Sequence, residues 1–364
     1  MKKANTEQQK AIECPQEQNT LLLAGAGTGK TFTLIARIAY LQNSCQVNPN
    51  QILCLTFTKA AATEMKTRLS KVNASVGFIG TFHSFAYQNL KSKGISLADI
   101  LPNFISTLKD SLLDRLQKAY PYILVDEFQD TDPLQIKFLE KMNSHLFLVG
   151  DDYQAIYGFR GAEPKWIRNA PDKFNAKIIK LEKNYRSSPN VLKWVNRVFI
   201  KDAKEFKKTL LPNSPNTGVS KWCHFATSKE ELNWILITCK EEPLTILCRY
   251  NRQVRYYKNF LNKNNLTNLQ VMTIHASKGL EFARVAVVGL SKTLFPNIKK
   301  TQDHEKYQEE KRLFYVAMSR AQKDLFLLSC EQKVWKGKLT FFRPSPFLRI
   351  TSPLAPLTLR IKSL

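Results

Sequence analysis

Three short stretches carry the residue types that phosphate chemistry needs. The first is "LLLAGAGTGKTFTL" (21–34). Glycines let successive backbone N–H groups curl around phosphate oxygens, and the N-terminus of a following helix adds positive potential. Here Ala24, Gly25, Ala26, Gly27, Thr28 and Gly29 would form the cradle. Lys30 would reach the terminal phosphates, and the Thr31 hydroxyl would ligate Mg²⁺. The strict pattern has glycine where Ala24 stands, a small departure. By itself the loop specifies binding of a nucleoside triphosphate and leaves open a kinase, a GTPase, a transport ATPase or a motor. The second stretch, "YILVDEFQDTD" (122–132), ends an apolar run in two adjacent carboxylates. Asp126 suits Mg²⁺ held through water, as the partner of Thr31, and Glu127 suits a base that orients and deprotonates an attacking water. The third, "LFLVGDDYQAIYGFRGA" (146–162), again ends an apolar run in acids. It then offers Gln154, an uncharged amide that can sense a γ-phosphate. Tyr157, Phe159 and Arg160 follow, a combination suited to stacking on bases while holding a phosphate. Alone, such aromatics are simplest read as core and such acids as a solvated turn; their company argues for the chemical reading.

These groups converge only if strands deliver them to one edge of a sheet. Apolar runs predict strands at 20–25, 51–57, 121–126, 145–149 and 177–181, then at 244–248, 270–274, 284–289 and 325–329, alternating with helical patterns. Such alternation predicts an α/β fold with parallel sheets. Two series predict two domains, 1–181 with a short helical insertion near 84–120, and 182–330. A basic, proline-containing C-terminal segment (331–364) follows, either packed on the second domain or free to dock a partner. At 364 residues the chain has ample core for this plan. Its 55 basic and 30 acidic side chains give a formal charge of +25, which points to a polyanionic partner, nucleic acid first. The seven cysteines form no C-x-x-C pair, and the five histidines are scattered. Reduced thiols in a cytoplasmic protein are expected, rather than disulfides or zinc. No apolar run approaches membrane-spanning length, so no membrane partner is expected.

The stretches "AGAGTGKT", "VDEFQDTD", "GDDYQAIYGFRGA", "LEKNYRSS", "VMTIHASKGLEFARVAVVGL" and "EEKRLFYVAMSRA" occur in that order. Together they resemble the ordered motifs of superfamily 1 DNA helicases of the UvrD/Rep/PcrA type, over about Thr6 to Ser329. The resemblance implies two RecA-like domains of the P-loop NTPase fold, with ATP and Mg²⁺ in the cleft between them. It implies an ATP-dependent helicase or translocase that moves 3′ to 5′ on single-stranded DNA. Residue by residue it gives Gln8 to the adenine, Lys30 and Thr31 to the phosphates, and brings Arg37 toward the nucleotide. It makes Tyr185 a stacking partner of the base, Arg186 an arginine finger, Glu281 a ribose contact and Arg320 a second arginine at the γ-phosphate. On DNA it implies stacking by Phe57 and backbone contacts by Thr58, with Thr81, His83, Arg249, Asn251, Thr273 and His275 along the same track as Tyr157, Phe159 and Arg160. Two departures stand out: Lys59 and Ala60 occupy places where the family usually has Asn then Lys, and Phe159 replaces a tryptophan.

Between Ser84 and Tyr122, and between Ser187 and Gln270, this chain is short. Larger members of the family insert whole helical subdomains at both places. The resemblance therefore implies a near-minimal motor on single strands or single/double-strand junctions, for which a protein partner or a second copy could complete unwinding. The alternative is an ATP-gated DNA-binding subunit of a nuclease, repair or defence complex. An RNA helicase is a third reading, since stacking and backbone contacts barely sense a 2′-hydroxyl.

Overall fold

Apolar runs that can bury both faces become central strands of two parallel sheets, one in each half of the chain. This computed structural model describes residues 3–90, 94–199, 206–264, 266–297, 303–335, 338–351 and 357–358. The chain divides into two α/β units, Met1–Glu182 and Lys183–Leu364.

The first unit runs α1 (Thr6–Ile12), β1 (Thr20–Ala24), α2 (Lys30–Asn43), β2 (Ile52–Thr56), α3 (Lys59–Ser70), β3 (Phe78–Thr81) and α4 (Phe82–Asn89). It continues through α5 (Ile100–Thr107), α6 (Asp110–Ala119), β4 (Tyr122–Val125), α7 (Pro133–Met142), β5 (His145–Gly150), α8 (Lys165–Lys173) and β6 (Lys177–Leu181). The strand order is β3-β2-β4-β5-β1-β6, parallel throughout. β1 and β2 are wholly buried. Edge strand β6 instead exposes Lys177 and Lys180, charges that discourage pairing at a free edge. Helix starts follow side-chain chemistry: Thr58 caps α3, Thr81 and Ser84 form a capping box on α4, and Asp132 with Pro133 opens α7. The helical stretch expected near 84–120 is α5 and α6. Phe104 of α5 meets Phe85 of α4 and Phe138 of α7 with ring centroids 6.0 and 5.9 Å apart. α5 is thus part of the unit's core, whereas α6 buries only Leu116 among its described residues.

The second unit runs β7 (Lys183–Asn184), α9 (Pro189–Val195), β8 (Leu211–Pro212), β9 (Ser220–Thr227), α10 (Ser228–Glu241), β10 (Leu244–Cys248), α11 (Asn251–Lys263) and β11 (Leu269–Thr273). Then come β12 (Phe282–Val287), α12 (His304–Met318), β13 (Ala321–Trp335), β14 (Lys338–Phe341), α13 (Pro346–Thr351) and β15 (Leu357–Thr358). Its main sheet has the order β11-β10-β12-β13-β9-β15, with β14 antiparallel on β13. The described part of the segment after 331 is built into this unit. β13 continues to Trp335, β15 pairs with β9, and Phe347 stacks on Phe314 at 5.2 Å. Among the described strands, β3, β7, β8, β9, β14 and β15 were not anticipated from the sequence. β3 is only four residues long, and β9, "SKWCHFAT", mixes polar and apolar side chains. Among the described residues no helix is long and apolar enough to cross a membrane.

Candidate functional site

In the first unit, β1 ends at Ala24 and α2 begins at Lys30, so the glycine-rich loop lies between a strand's C-terminus and a helix N-terminus. Gly27 and Gly29 take φ of 70° and 87°, a region that side-chain-bearing residues rarely adopt. A Cβ on Gly29 would also stand 2.7 Å from the Gln8 amide nitrogen. Thr28 is buried, and its hydroxyl donates to the Gly25 carbonyl at 2.8 Å. Gln8, 3% exposed, donates from Nε2 to the Thr28 carbonyl at 3.0 Å while its Oε1 accepts from the Asn5 N–H. The residue assigned to the adenine is therefore docked on the phosphate loop itself. Ala24 and Ala26 are buried, and Thr31 is half-buried on the first turn of α2.

β4 delivers the acids to the same edge of the sheet. Asp126 is 7% exposed, and its backbone N–H donates to the Leu55 carbonyl at 2.9 Å. Glu127 sits at φ 52°, ψ 42°, a left-handed conformation that costs of order 1–3 kcal/mol for a non-glycine residue and clusters at functional sites. Its Oε2 lies 3.8 Å from Lys30 Nζ. Lys30 Nζ is buried and has no hydrogen-bond partner among the described residues. A buried ammonium whose ion-pair partner stands beyond hydrogen-bond distance is left under-satisfied, and a phosphate oxygen is an acceptor this loop is shaped to hold. The donor set therefore fits a nucleoside triphosphate, with Thr31 and Asp126 available to Mg²⁺. Gln154, beyond β5, is 4% exposed and donates to Asp151 Oδ2 at 2.6 Å.

A few residues further on lies an aromatic cluster. Phe57, just past β2, stacks on Tyr157 with centroids 5.0 Å apart and planes 19° from parallel. Phe159, 67% exposed, stands edge-on to Tyr157 at 5.9 Å. The Arg160 guanidinium lies 5.2 and 5.6 Å from those two rings. Core packing does not account for so exposed a group. The Thr58 and Thr81 hydroxyls each accept a helix-capping N–H, at 3.1 Å in both cases. His83 is half-buried on α4.

In the second unit, the turn carrying Tyr185 and Arg186 is laced to the α12–β13 junction. Asn184 Oδ1 accepts the N–H groups of Arg186 and Ser187, and the Ser187 hydroxyl donates to the Ala321 carbonyl at 2.6 Å. Arg186 donates from Nε to Glu281 Oε2 at 2.6 Å and from Nη1 to the Ser319 carbonyl at 3.1 Å. Gln322 Nε2 holds the other Glu281 oxygen at 2.9 Å. The structure thus brings Arg186, Glu281 and the turn before Arg320 together. Arg320 is 1% exposed and donates to the carbonyls of Val316 and Leu280, both at 3.1 Å. Tyr185 is exposed. Asn251 is exposed on the first turn of α11, His275 is half-buried, and the Thr273 hydroxyl accepts the Ala276 N–H at 3.2 Å.

One assignment needs correction, and a second residue is engaged by a neighbouring carboxylate. Arg37 does not reach toward the nucleotide. It is 3% exposed, and its guanidinium donates to the carbonyls of Ile12, Cys14 and Pro15 at 2.9, 2.5 and 3.2 Å. Burial lowers its pKa, and the three carbonyls hold its two terminal nitrogens, tying α2 to the turn between α1 and β1. Arg249 is held by a carboxylate, as Arg186 is. Its Nε and Nη2 donate to Glu310 Oε1 at 2.9 and 2.6 Å. Burial works against that charge, and the Glu310 contacts outweigh it, leaving the pKa raised. Sequence reasoning also passed over Gln129, which is fully buried and bonded to Glu127; its only signal was an amide set among acids in "DEFQD".

Comparison with known proteins places these features. Residues 4–105 and 93–175 match the UvrD/REP helicase N-terminal domain, and residues 179–269 and 265–332 match the UvrD-like helicase C-terminal domain. A probable DNA helicase of Mycoplasma pneumoniae is 30% identical over 96% of this chain and 87% of its own length. The ATP-dependent DNA helicase Rep of Buchnera aphidicola is 31% identical over 53% of this chain and 44% of its own. The ATP-dependent DNA helicase PcrA of Staphylococcus aureus is 28% identical over 72% of this chain and 50% of its own. The chain thus spans about half the length of these Rep and PcrA relatives.

Proposed function

The chain belongs to the UvrD/Rep helicase family, and from that premise we propose that it is an ATP-dependent DNA motor moving 3′ to 5′ on single strands. The observation that carries this is an arrangement within one sheet. The phosphate loop follows β1, Asp126 and Glu127 follow β4, and Gln154 follows β5. The stacked ring of Phe57 follows β2, and Tyr157, Phe159 and Arg160 share the β5 connection with Gln154. Open α/β sheets bind ligands outside the carboxyl ends of their strands. Here that edge offers groups for a triphosphate and, beside them, a platform for stacked bases.

The roles follow from the chemistry. Lys30 and the loop N–H groups bind the phosphates. Thr31 and Asp126 would hold Mg²⁺, which neutralises charge on the phosphate oxygens. Glu127 takes the proton of the attacking water. Gln154 hydrogen-bonds the terminal phosphate and, being uncharged, can do so before and after cleavage. Arg186 and Arg320, as the resemblance implies, stabilise the charge on the transferred phosphoryl group. Phe57, Tyr157 and Phe159 grip bases without reading sequence.

The test is ATP hydrolysis with no nucleic acid, single-stranded DNA, duplex DNA and RNA, beside streptavidin displacement from a biotinylated strand. A motor shows turnover stimulated by single strands and displaces streptavidin from one end only. Slow hydrolysis indifferent to DNA would refute it. A second expectation comes from α5 lying in the core, from α5 and α6 being the only described helices between α4 and β4, and from α11 and β11 joining within 264–268. These connections leave little chain to hold a duplex, and each base-pair step costs on the order of 1.4 kcal/mol to open. The chain alone should therefore translocate but unwind a 3′-tailed duplex poorly. Efficient single-turnover unwinding by a demonstrated monomer would overturn that expectation.

A further inference from the structure

Gln129 has no role in the scheme above, yet it is fully buried against the hydrolytic base. Its Nε2 donates to Glu127 Oε2 and, at 3.4 Å, to Asp130 Oδ2. Its Oε1 accepts the Asp151 backbone N–H at 2.9 Å. The Asp151 carboxylate in turn accepts from Gln154. Carboxylates want donors and a backbone N–H wants an acceptor, and an amide presents both from one planar group. The site therefore specifies glutamine: a glutamate would set a third carboxylate against Glu127 and Asp130, and an apolar side chain would remove both the donor to those carboxylates and the acceptor of the Asp151 N–H. Gly150 supplies the room. A Cβ there would lie 2.8 Å from Gln129 Oε1 and 2.6 Å from Ile167 Cδ1.

The backbone explains why such a hold is needed. Glu127 is left-handed, so its side chain leaves the chain in a direction that the preceding strand does not dictate. A general base must stand within hydrogen-bond reach of the proton it takes. Something other than strand geometry has to aim this carboxylate.

We propose that Gln129 is the positioning residue of the hydrolytic base, aiming Glu127 through the hydrogen bond to Oε2 and tying it to the β5 connection that carries Gln154. The inference rests on reading Glu127 as the general base. It concerns orientation and so predicts a loss confined to turnover. In the full chain with saturating oligo-dT, Gln129→Glu, of equal size but lacking the donor, should lower kcat at least about tenfold, a share of the roughly 10²-fold or more that a general base contributes. KM for ATP, affinity for a labelled non-hydrolysable ATP analogue and affinity for DNA should stay within about twofold, as expected when only a transition-state contact is lost. Gln129→Met, apolar and of similar size, should behave alike and serves if the glutamate variant does not fold. In a Glu127→Gln background either change should cost nothing further, because Gln129 acts through Glu127.

Wild-type kcat in a folded Gln129 variant would overturn the proposal. So would analogue affinity that falls as far as kcat, or a further loss in the Glu127→Gln background, either of which marks a general structural role. The control separates the two claims. Wild-type turnover by Glu127→Gln sinks the general-base reading itself, whereas an inactive Glu127→Gln beside normal Gln129 variants sinks this inference alone.

Discussion

Replacing Phe57 with alanine should weaken single-strand binding without changing its dependence on salt. Phe57 and Tyr157 are already stacked, 5.0 Å between centroids. A base slipped between them would need two stacking steps of about 3.4 Å each, opening the pair to roughly 7 Å. A base laid on an outer face of the pair needs no opening. The stack is thus a platform formed in advance, and removing one ring removes one face of it. The loss should be about 1–3 kcal/mol, or roughly 5- to 150-fold in Kd. The stack itself is worth about 0.5–1.5 kcal/mol to the fold, and Phe57 is only half-buried, so the variant should remain folded. Arg160 provides the contrast. It carries a charge beside the same rings, and each phosphate neutralised on a single strand contributes about 0.7 to the slope of log K against log salt. Fluorescence anisotropy with end-labelled oligo-dT at several salt concentrations distinguishes the two. Phe57→Ala should shift the line in parallel, and Arg160→Ala should flatten it by about 0.7. Unchanged affinity in folded Phe57→Ala, or a flattened line for it, would refute the reasoning.

Other expectations concern catalysis and the corrected arginine. Lys30→Ala should abolish ATP hydrolysis, and Glu127→Gln should retain ATP binding while turnover falls roughly 10²-fold or more; steady-state ATPase and analogue titration check both. Arg186→Ala and Arg320→Ala should each lower turnover by about 10³-fold with DNA affinity near normal, and lost DNA binding with intact basal ATPase would move them to the DNA track. Arg37→Met should destabilise the chain by about 2–4 kcal/mol through carbonyls left without a donor, measured by urea unfolding. A raised KM for ATP with unchanged stability would instead restore the nucleotide role.

Much of this was legible in the sequence because strand ends and glycine turns are local events. "LLLAGAGTGKT" and "YILVDE" announce a buried strand, its end and the functional group that follows within a few residues, and parallel strands with helical crossovers bring such ends to one edge. What was illegible depends on partners distant in the chain. Arg37 looks like a phosphate ligand until the carbonyls of 12–15 arrive to claim it, and nothing near Arg249 in sequence announces its pairing with Glu310. The left-handed Glu127 carries no glycine or asparagine to announce it. β9 was hidden because it lies between β13 and the short β15, where polar side chains are tolerated on a half-covered strand.

The β5 connection sets how the two sites can communicate. Only Ala155 and Ile156 separate Gln154 from Tyr157, and they are 3% and 0% exposed. A linkage packed on all sides has no backlash. Dense interiors pass displacement on and do not absorb it, because there is no empty volume for slack. On the reading that Gln154 contacts the terminal phosphate, a shift of its amide on phosphate loss has little free volume in which to dissipate before the ring of Tyr157.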